Sequence, residues 1–441
     1  MQPLRHFSLL CLVYVTVCAG PFGLEEFVRS VGPELAFALL LLTPIFWGLP
    51  LLFMSAELAG ALPLEGGLYR WVKTAFGDFW GFQAGWWWWL SSFLDCAIYA
   101  VLVADYVSFF HPGMSALARW GLALAVIWVF TLLNVRGVAV MGMSATFLTV
   151  VLLAPFAIML ILGVPQMAQC PLTLLMPATR ETAATLGAGL LMSIWFLSGF
   201  EALATASGEI QDAARLLPRA LRWVFPLILL SYGLPLWVSL GVDGDWQNWR
   251  AGHFADIAAK LGGPWLGGWV SLAGVTANLA LFGAWLLSYA RIPFAMAADG
   301  HLPATLCRLS PRYGTPVTAL VVSAMLYSVM AWFDFRSLVE MTIWLILPAM
   351  FLEFLALAKL RHSHPDLPRR FRVPGGRLGL VFTVISPIGI GLFAMFGSGT
   401  DYVLPGVMAL ASGPVAFWLG RRFSRHAPAA GHSPQFTARS Q

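Results

Sequence analysis

Glu25, Asp95 and Glu201 stand where a membrane chain does not leave a charge without a purpose. Asp95 lies 16 residues into an apolar stretch that opens near residue 79. At ~1.5 Å of rise per residue that is about 24 Å along a helix, near mid-bilayer. Glu25 follows the break Gly20-Pro21-Phe22-Gly23, and Glu201 follows Ser198-Gly199-Phe200. An acid at the bilayer centre costs roughly 2.5–3.5 kcal/mol on insertion scales, so it faces a cavity or a partner. Every Lys and Arg falls in an expected loop or at a segment end, which leaves Asp95 and Glu201 no buried protein cation. Either these acids are protonated or the positive charge arrives with a substrate. Both options suit a carrier of cationic amines or one coupled to protons, with Asp95, Glu201 and Glu25 as the proton-coupling candidates.

The interrupted backbone is the second chemical element. A Gly or Pro break frees N–H and C=O groups that lipid cannot satisfy, and it survives only where it lines a protein cavity. Two broken helices at corresponding places in two halves point to a transporter's substrate site. A half-helix that begins after a break offers N–H groups to a carboxylate, and the opposing half offers carbonyls to an ammonium group or ion. The substrate-binding set is therefore Gly20, Pro21, Phe22, Gly23, Glu25, Asp95, Ser198, Gly199, Phe200 and Glu201. Phe22, Trp195, Phe196 and Phe200 flank the breaks and form the gating set, with rings that could close over a substrate or face a cation.

Plainer readings compete at each position. Glu25 and Arg29 are four apart and could form an ordinary helical pair. Asp95 could be a neutral acid bonded to helix backbone, and Glu201 could cap freed N–H groups. Glu26, Asp105 and Glu57 fit water-facing ends. Glu340 and Glu353 fit either an inner vestibule or pairs with loop arginines. The run Trp86-Trp87-Trp88-Trp89 points four ways from a helix, as packing and lipid anchoring require. Ser271, Thr276 and Ser288 could offer oxygens to sodium, but hydroxyls serve helix packing equally well, so sodium stays open while the acids favour protons.

The elements that hold these residues follow from composition. The chain is 59% hydrophobic and 11% charged, with a mean hydropathy of +0.77, which excludes an ordinary soluble fold. Leu35–Ala56, Leu261–Ala290 and Leu378–Thr400 contain no Asp, Glu, Lys or Arg. About twelve spans fit, near 7–29, 35–58, 79–110, 115–134, 143–165, 184–208, 220–242, 263–290, 315–333, 337–358, 378–399 and 402–420. Longer loops are expected near 166–183, 243–262 and 291–314, with a basic one near 359–377. Residues 1–423 form the membrane domain, and 424–441 read as a disordered tail. With the N-terminus inside, 20 of the 26 Lys and Arg face the cytoplasm, so both termini are expected there. That bias explains the sequence pI near 9.1 without nucleic acid. Reading the first segment as a cleaved signal would leave an odd span count and upset the charge tally. The five cysteines show no metal or redox spacing, and Cys170 alone falls in an outer loop, so neither a metal site nor a disulfide is expected.

Several motifs in order resemble the amino acid–polyamine–organocation permeases over most of the chain. Gly20-Pro21-Phe22-Gly23 looks like the unwound part of that family's first helix. Ala56-Glu57-Leu58, Pro63 and Gly66-Gly67-Leu68-Tyr69-Arg70-Trp71-Val72 resemble the end of its second helix and the loop beyond. Gly208-Glu209-Ile210, then Pro218-Arg219-Ala220, resemble the exit from its sixth. Arg291, Met296-Ala297, Asp299-Gly300, Leu302-Pro303 and Gly314-Thr315-Pro316 look like the loop after its eighth, and Arg370-Phe371-Arg372-Val373-Pro374-Gly375 like the loop after its tenth. Glu25, Asp95 and Glu201 together look most like the polyamine uptake and amino acid permease branch. The resemblance implies an all-α, leucine-transporter-like 5+5 inverted repeat, with two appended helices and helices 1 and 6 broken.

The expected function is a secondary-active permease for amino acids or polyamines, proton-coupled and working by alternating access, in the cell membrane. Its partners are a small amine or amino-acid substrate and the lipid bilayer, with no nucleic acid and no cofactor, as a monomer or homodimer. An exchanger of neutral or cationic amino acids is the alternative within the same fold. A membrane-embedded enzyme is the alternative from another class, but all eight histidines fall in loops or tails and no Gly-x-Ser-x-Gly turn is present.

Overall fold

Apolar runs too long for a soluble domain to bury become the spans of this protein. In the computed structural model, described for residues 11, 14–15, 17–18, 20–62, 66–136, 145–167, 182–199, 213–369 and 371–424, all regular structure is helical. Among the described residues, nine helices are long and apolar enough to cross a membrane, and two apolar helices are shorter. The expected tail, except Ser424, lies outside the described residues, as do parts of the first and sixth expected spans.

The first segment is helical at residue 17, turns at residue 18 and again through 20–23, and resumes as α1 (Leu24–Val31). Next come α2 (Pro33–Thr43), a π turn at Pro44–Gly48 and α3 (Leu49–Ala61), one continuous 29-residue span. Pro44 and Pro50 bracket the widened turn, each removing a backbone donor from the ladder. Then follow α4 (Gly67–Phe76), α5 (Asp78–Val107), α6 (Ala116–Val135), α7 (Ala145–Met167), α8 (Ala183–Phe196) and α9 (Ala213–Val242). The chain continues through α10 (His253–Gly262), α11 (Pro264–Ala298), α12 (Val317–Met330), α13 (Phe335–Ser363), α14 (Gly376–Gly397) and α15 (Val403–Ser424). Side chains set several starts: Ser115, Thr182 and Asp334 accept from the N–H groups of Ala118, Thr185 and Ser337 at 3.2, 3.2 and 3.1 Å.

α5 is the central post. Its spanning window is 89% buried, against 22% for α6 and 17% for α15, which turn most of their surface toward lipid. α11 and α13 pack along α5, and α4 flanks it. Asp95 therefore sits on the most enclosed helix among the described spans.

The structure corrects several expectations. The loop near 243–262 contains a helix, α10, and the loop near 291–314 begins later because α11 runs on to Ala298. Glu57 and Asp105 are buried rather than water-facing, because arginines cover them. Glu57 accepts from Arg361, from Arg369 at 3.3 Å and from the Val373 N–H at 2.8 Å, and Asp105 pairs with Arg119. Arg29 pairs with Glu26 at 3.0 Å rather than with Glu25. Glu340 takes Arg336 at 2.7 Å. The four tryptophans do point apart, but inward partners hold them. Trp86 donates to Ser412 (2.8 Å), Trp87 to the Leu410 carbonyl (3.1 Å), Trp88 to Glu353 (2.6 Å) and Trp89 to Ser323 (3.2 Å). They tie α5 to its neighbours instead of anchoring it in lipid.

Candidate functional site

Both breaks open onto one cavity. At the first, Gly20 (φ 117°) and Gly23 (φ 96°) adopt backbone that only glycine enters cheaply. At the second, α8 ends at Phe196, the chain bends through Leu197 and Ser198, and Gly199 has φ 113°. Phe200 and Glu201 lie outside the described residues. Three of the backbone groups at these breaks have partners. The Phe196 carbonyl accepts from the Tyr232 hydroxyl at 3.0 Å, Ser198 Oγ donates to the Ile194 carbonyl at 2.8 Å, and the Gly23 N–H donates to Glu25 at 2.9 Å.

The cavity is lined by Cys18, Gly20 and Phe22 from the first break and by Trp195, Phe196, Ser198 and Gly199 from the second. α5 contributes Asp95 and Tyr99, α9 contributes Tyr232, and α11 contributes Asn278, Leu281, Trp285 and Tyr289. Thr342, Ile343 and Ile346 close it from α13. Of the residues singled out in the sequence, Gly20, Phe22, Asp95, Trp195, Phe196, Ser198 and Gly199 come together here. Pro21 and Gly23 sit in the same turn but do not line the cavity.

Asp95 is 4% exposed, and its partners among the described residues are neutral. Oδ1 accepts from Trp195 Nε1 at 2.9 Å and Oδ2 from the Tyr289 hydroxyl at 3.0 Å. Rings surround it. Trp285 stacks on Tyr289 with centroids 5.0 Å apart, Tyr99 leans on Trp195 at 6.1 Å, and Trp195 meets Phe196 and Phe335 edge-on at 5.2 and 5.6 Å. A carboxylate inside an aromatic wall is an arrangement that attracts an alkylammonium group, through its charge and through the ring faces.

Sequence reasoning missed the wall that α11 supplies. Asn278, Leu281, Trp285 and Tyr289 are spaced 3, 4 and 4 residues apart, so they share one helical face. A polar and aromatic stripe on an otherwise apolar span was the signal that could have found them. Tyr99, one turn beyond Asp95, belongs to the same pattern on α5. The sodium-candidate hydroxyls do not converge. Ser271 donates to the Tyr106 carbonyl (2.7 Å), Thr276 to that of Leu272 (2.7 Å) and Ser288 to that of Ala284 (3.2 Å).

Glu25 faces away from this cavity. It is fully buried; Oε1 accepts from the Tyr106 hydroxyl at 2.5 Å and the Phe254 N–H at 3.2 Å, and Oε2 accepts from Gly23. Two charged clusters lie beyond the spans. Burial would push Asp299 up, but Lys73 (2.6 Å), the Tyr69 hydroxyl (2.6 Å) and Arg70 (2.7 Å) hold it below the usual carboxylate range. Around α10, burial pulls His253 down, yet Asp256 at 3.4 Å and Asp243 at 3.1 Å raise it above the ordinary histidine value.

Residues 4–418 match the amino acid permease family. The polyamine transporter RMV1 of Arabidopsis thaliana is 33% identical over 389 residues, covering 88% of this chain and 79% of the relative. The polyamine transporter PUT1 of Oryza sativa subsp. japonica is 35% identical over 381 residues, 86% of this chain and 71% of the relative. The crystal structure of MhsT in complex with L-phenylalanine matches with a TM-score of 0.66 at 13% identity, over 89% of this chain and 98% of that one.

Proposed function

Because the chain belongs to the amino acid permease family, and is thus a multi-pass membrane transporter rather than an enzyme, we propose that it imports organic amines, polyamines foremost, through the Asp95 cavity. The observation that carries this reading is the Asp95 carboxylate, buried on α5 with only neutral N–H and O–H partners among the described residues, inside an aromatic wall. An arriving ammonium group supplies the cation that the described residues around Asp95 do not. The relatives named as polyamine transporters support the same substrate class. The inward driving force is a proton symported with the amine, and the bundle rocks about the cavity in alternating access. Both termini face the cytoplasm of the cell membrane, in keeping with the basic inner loops.

A second reading, exchange of zwitterionic amino acids, is favoured by one observation. Gly20, Ser198 and Gly199 bring irregular backbone to the cavity wall, suited to an α-carboxylate as well as an ammonium group. Proteoliposome uptake separates the two. Labelled putrescine, spermidine, arginine and leucine are offered with and without an inward proton gradient. Polyamine uptake that rises with the gradient is the expected result. Leucine uptake with polyamines ignored would refute the amine reading, and uptake that needs internal amino acid but no gradient would establish exchange.

A further inference from the structure

The chemistry of the cavity makes no use of Glu25, although its carboxylate is among the most completely bonded in the described chain. Its donors come from three different elements. Gly23 belongs to the break, Tyr106 to α5 and Phe254 to the first turn of α10. Two of these elements are rigidly placed. The Tyr106 ring fills the space over Gly274 of α11, where a Cβ would lie 2.7 Å from it, and the Tyr106 carbonyl accepts from Ser271 at 2.7 Å. Gly252, at φ +87°, lets the chain entering α10 approach the Asp105 carbonyl, from which a Cβ would stand 2.9 Å away.

The contacts run on into the cavity wall. Phe22, a lining residue, meets Tyr106 edge-on at 5.1 Å and Phe156 at 5.5 Å, and Phe156 meets Phe254 at 6.0 Å. Phe22, Phe254 and Trp249 are all buried, so this corner is closed. We propose that Glu25 is a positioning residue for transport, whose carboxylate latches the half-helix after the first break to the fixed α5–α11 pair and to α10. The latch must release whenever the cavity opens toward the α10 face. Glu25 thereby acts on access to the cavity through α1 and Phe22, without touching substrate. The inference rests on the cavity being the transport path.

The test uses a full-length variant in which Cys18, which lines the cavity, is the sole cysteine. A membrane-impermeant maleimide is added from the α10 face, identified in a parallel chain by labelling of Lys260→Cys. Glu25→Gln sets an amide against the Gly23 N–H and Tyr106→Phe removes the hydroxyl donor, so each is expected to raise the Cys18 labelling rate roughly fivefold or more. Tyr106→Phe keeps the ring packing on Gly274 and Phe22, so the test survives if Glu25→Gln does not fold. Unchanged or slower labelling in the folded variants would overturn the latch. So would unchanged labelling in Glu25→Gln with transport that loses its pH dependence, which would make Glu25 a proton carrier. The labelling needs no substrate, so its failure is distinguishable from failure of the amine-uptake reading.

Discussion

Asp95→Asn tests the cavity most directly, because the structure shows what it would spare. The amide oxygen can go on accepting from Trp195 Nε1, now at 2.9 Å, and the amide nitrogen can donate to the Tyr289 oxygen that now donates at 3.0 Å. A neutral hydrogen bond nets about 1 kcal/mol, so the fold is expected to survive within about that margin. The substrate loses far more. A full charge pair about 4 Å apart is worth about 4 kcal/mol at an effective dielectric of ~20. The amide keeps part of that as a dipole, which leaves a net loss of about 2–3 kcal/mol, in line with hydrogen bonds to charged groups. At about 1.4 kcal/mol per decade, putrescine and spermidine should bind roughly 30- to 150-fold more weakly. The assay is equilibrium binding of labelled amine to purified protein, with thermal unfolding as the check on folding. Amine affinity unchanged in a folded Asp95→Asn protein would refute the assignment, because no other acid lining the cavity among the described residues could replace the charge.

Other perturbations follow from packing and charge. Glu57→Gln leaves Arg361 and Arg369 facing each other without their carboxylate, and breaking a buried pair of this kind costs about 3–5 kcal/mol, readable as a large drop in Tm by tryptophan fluorescence. Gly187→Ala would put a Cβ 2.2 Å from the Ser398 nitrogen and 2.4 Å from the Gly397 carbonyl carbon, so α8 must separate from α14, at a cost of about 1–3 kcal/mol by the same measurement. Gly60→Ala, with nothing within 4 Å of the new Cβ, should be neutral or slightly stabilising. At α10, the raised His253 contributes stability that is fully present below its unfolded value of about 6.5 and fades as pH rises through the higher folded value. His253→Gln should therefore lower Tm more at about pH 6 than at about pH 9. An equal loss at both would place the contribution in the stacking on Trp249 instead.

What the sequence made legible was local in the chain. The break at Gly20–Gly23 announces itself through glycine and proline inside an apolar run, and Asp95 through a lone acid on a helix otherwise free of charge at that depth. Partners far apart in sequence were not legible. Glu57 reads as a solvated helix end until Arg361, 304 residues later, folds over it. Glu25 lies within helical reach of Arg29, yet the break turns its carboxylate toward Tyr106 and Phe254 and leaves Arg29 to Glu26. α10 was not legible because it is only ten residues long and sits between the turns at Gly252 and Gly263, too short a stretch for its amphipathic period to stand out.

The buried acids together argue for Asp95 more strongly than Asp95 does alone. A carboxylate withdrawn from water needs a cation or a full set of donors, or it destabilises the fold. Glu57 has Arg361 and Arg369, Asp105 has Arg119, Glu340 has Arg336, and Glu25 has three donors on two oxygens. Each of these is held by the protein itself, at the end of a span or within its scaffold. Asp95 differs in place, for it borders the cavity between the two breaks, where its donors are the Trp195 indole N–H and the phenol O–H groups of Tyr289 and Tyr99. These donors are neutral, and they sit on α8, α11 and α5, which meet at the cavity. An ammonium group entering there would gain a charge interaction that no side chain of the described protein has already taken. That place beside the cavity, which Glu25 and Glu353 do not share, is the physical reason to expect a cationic substrate at Asp95.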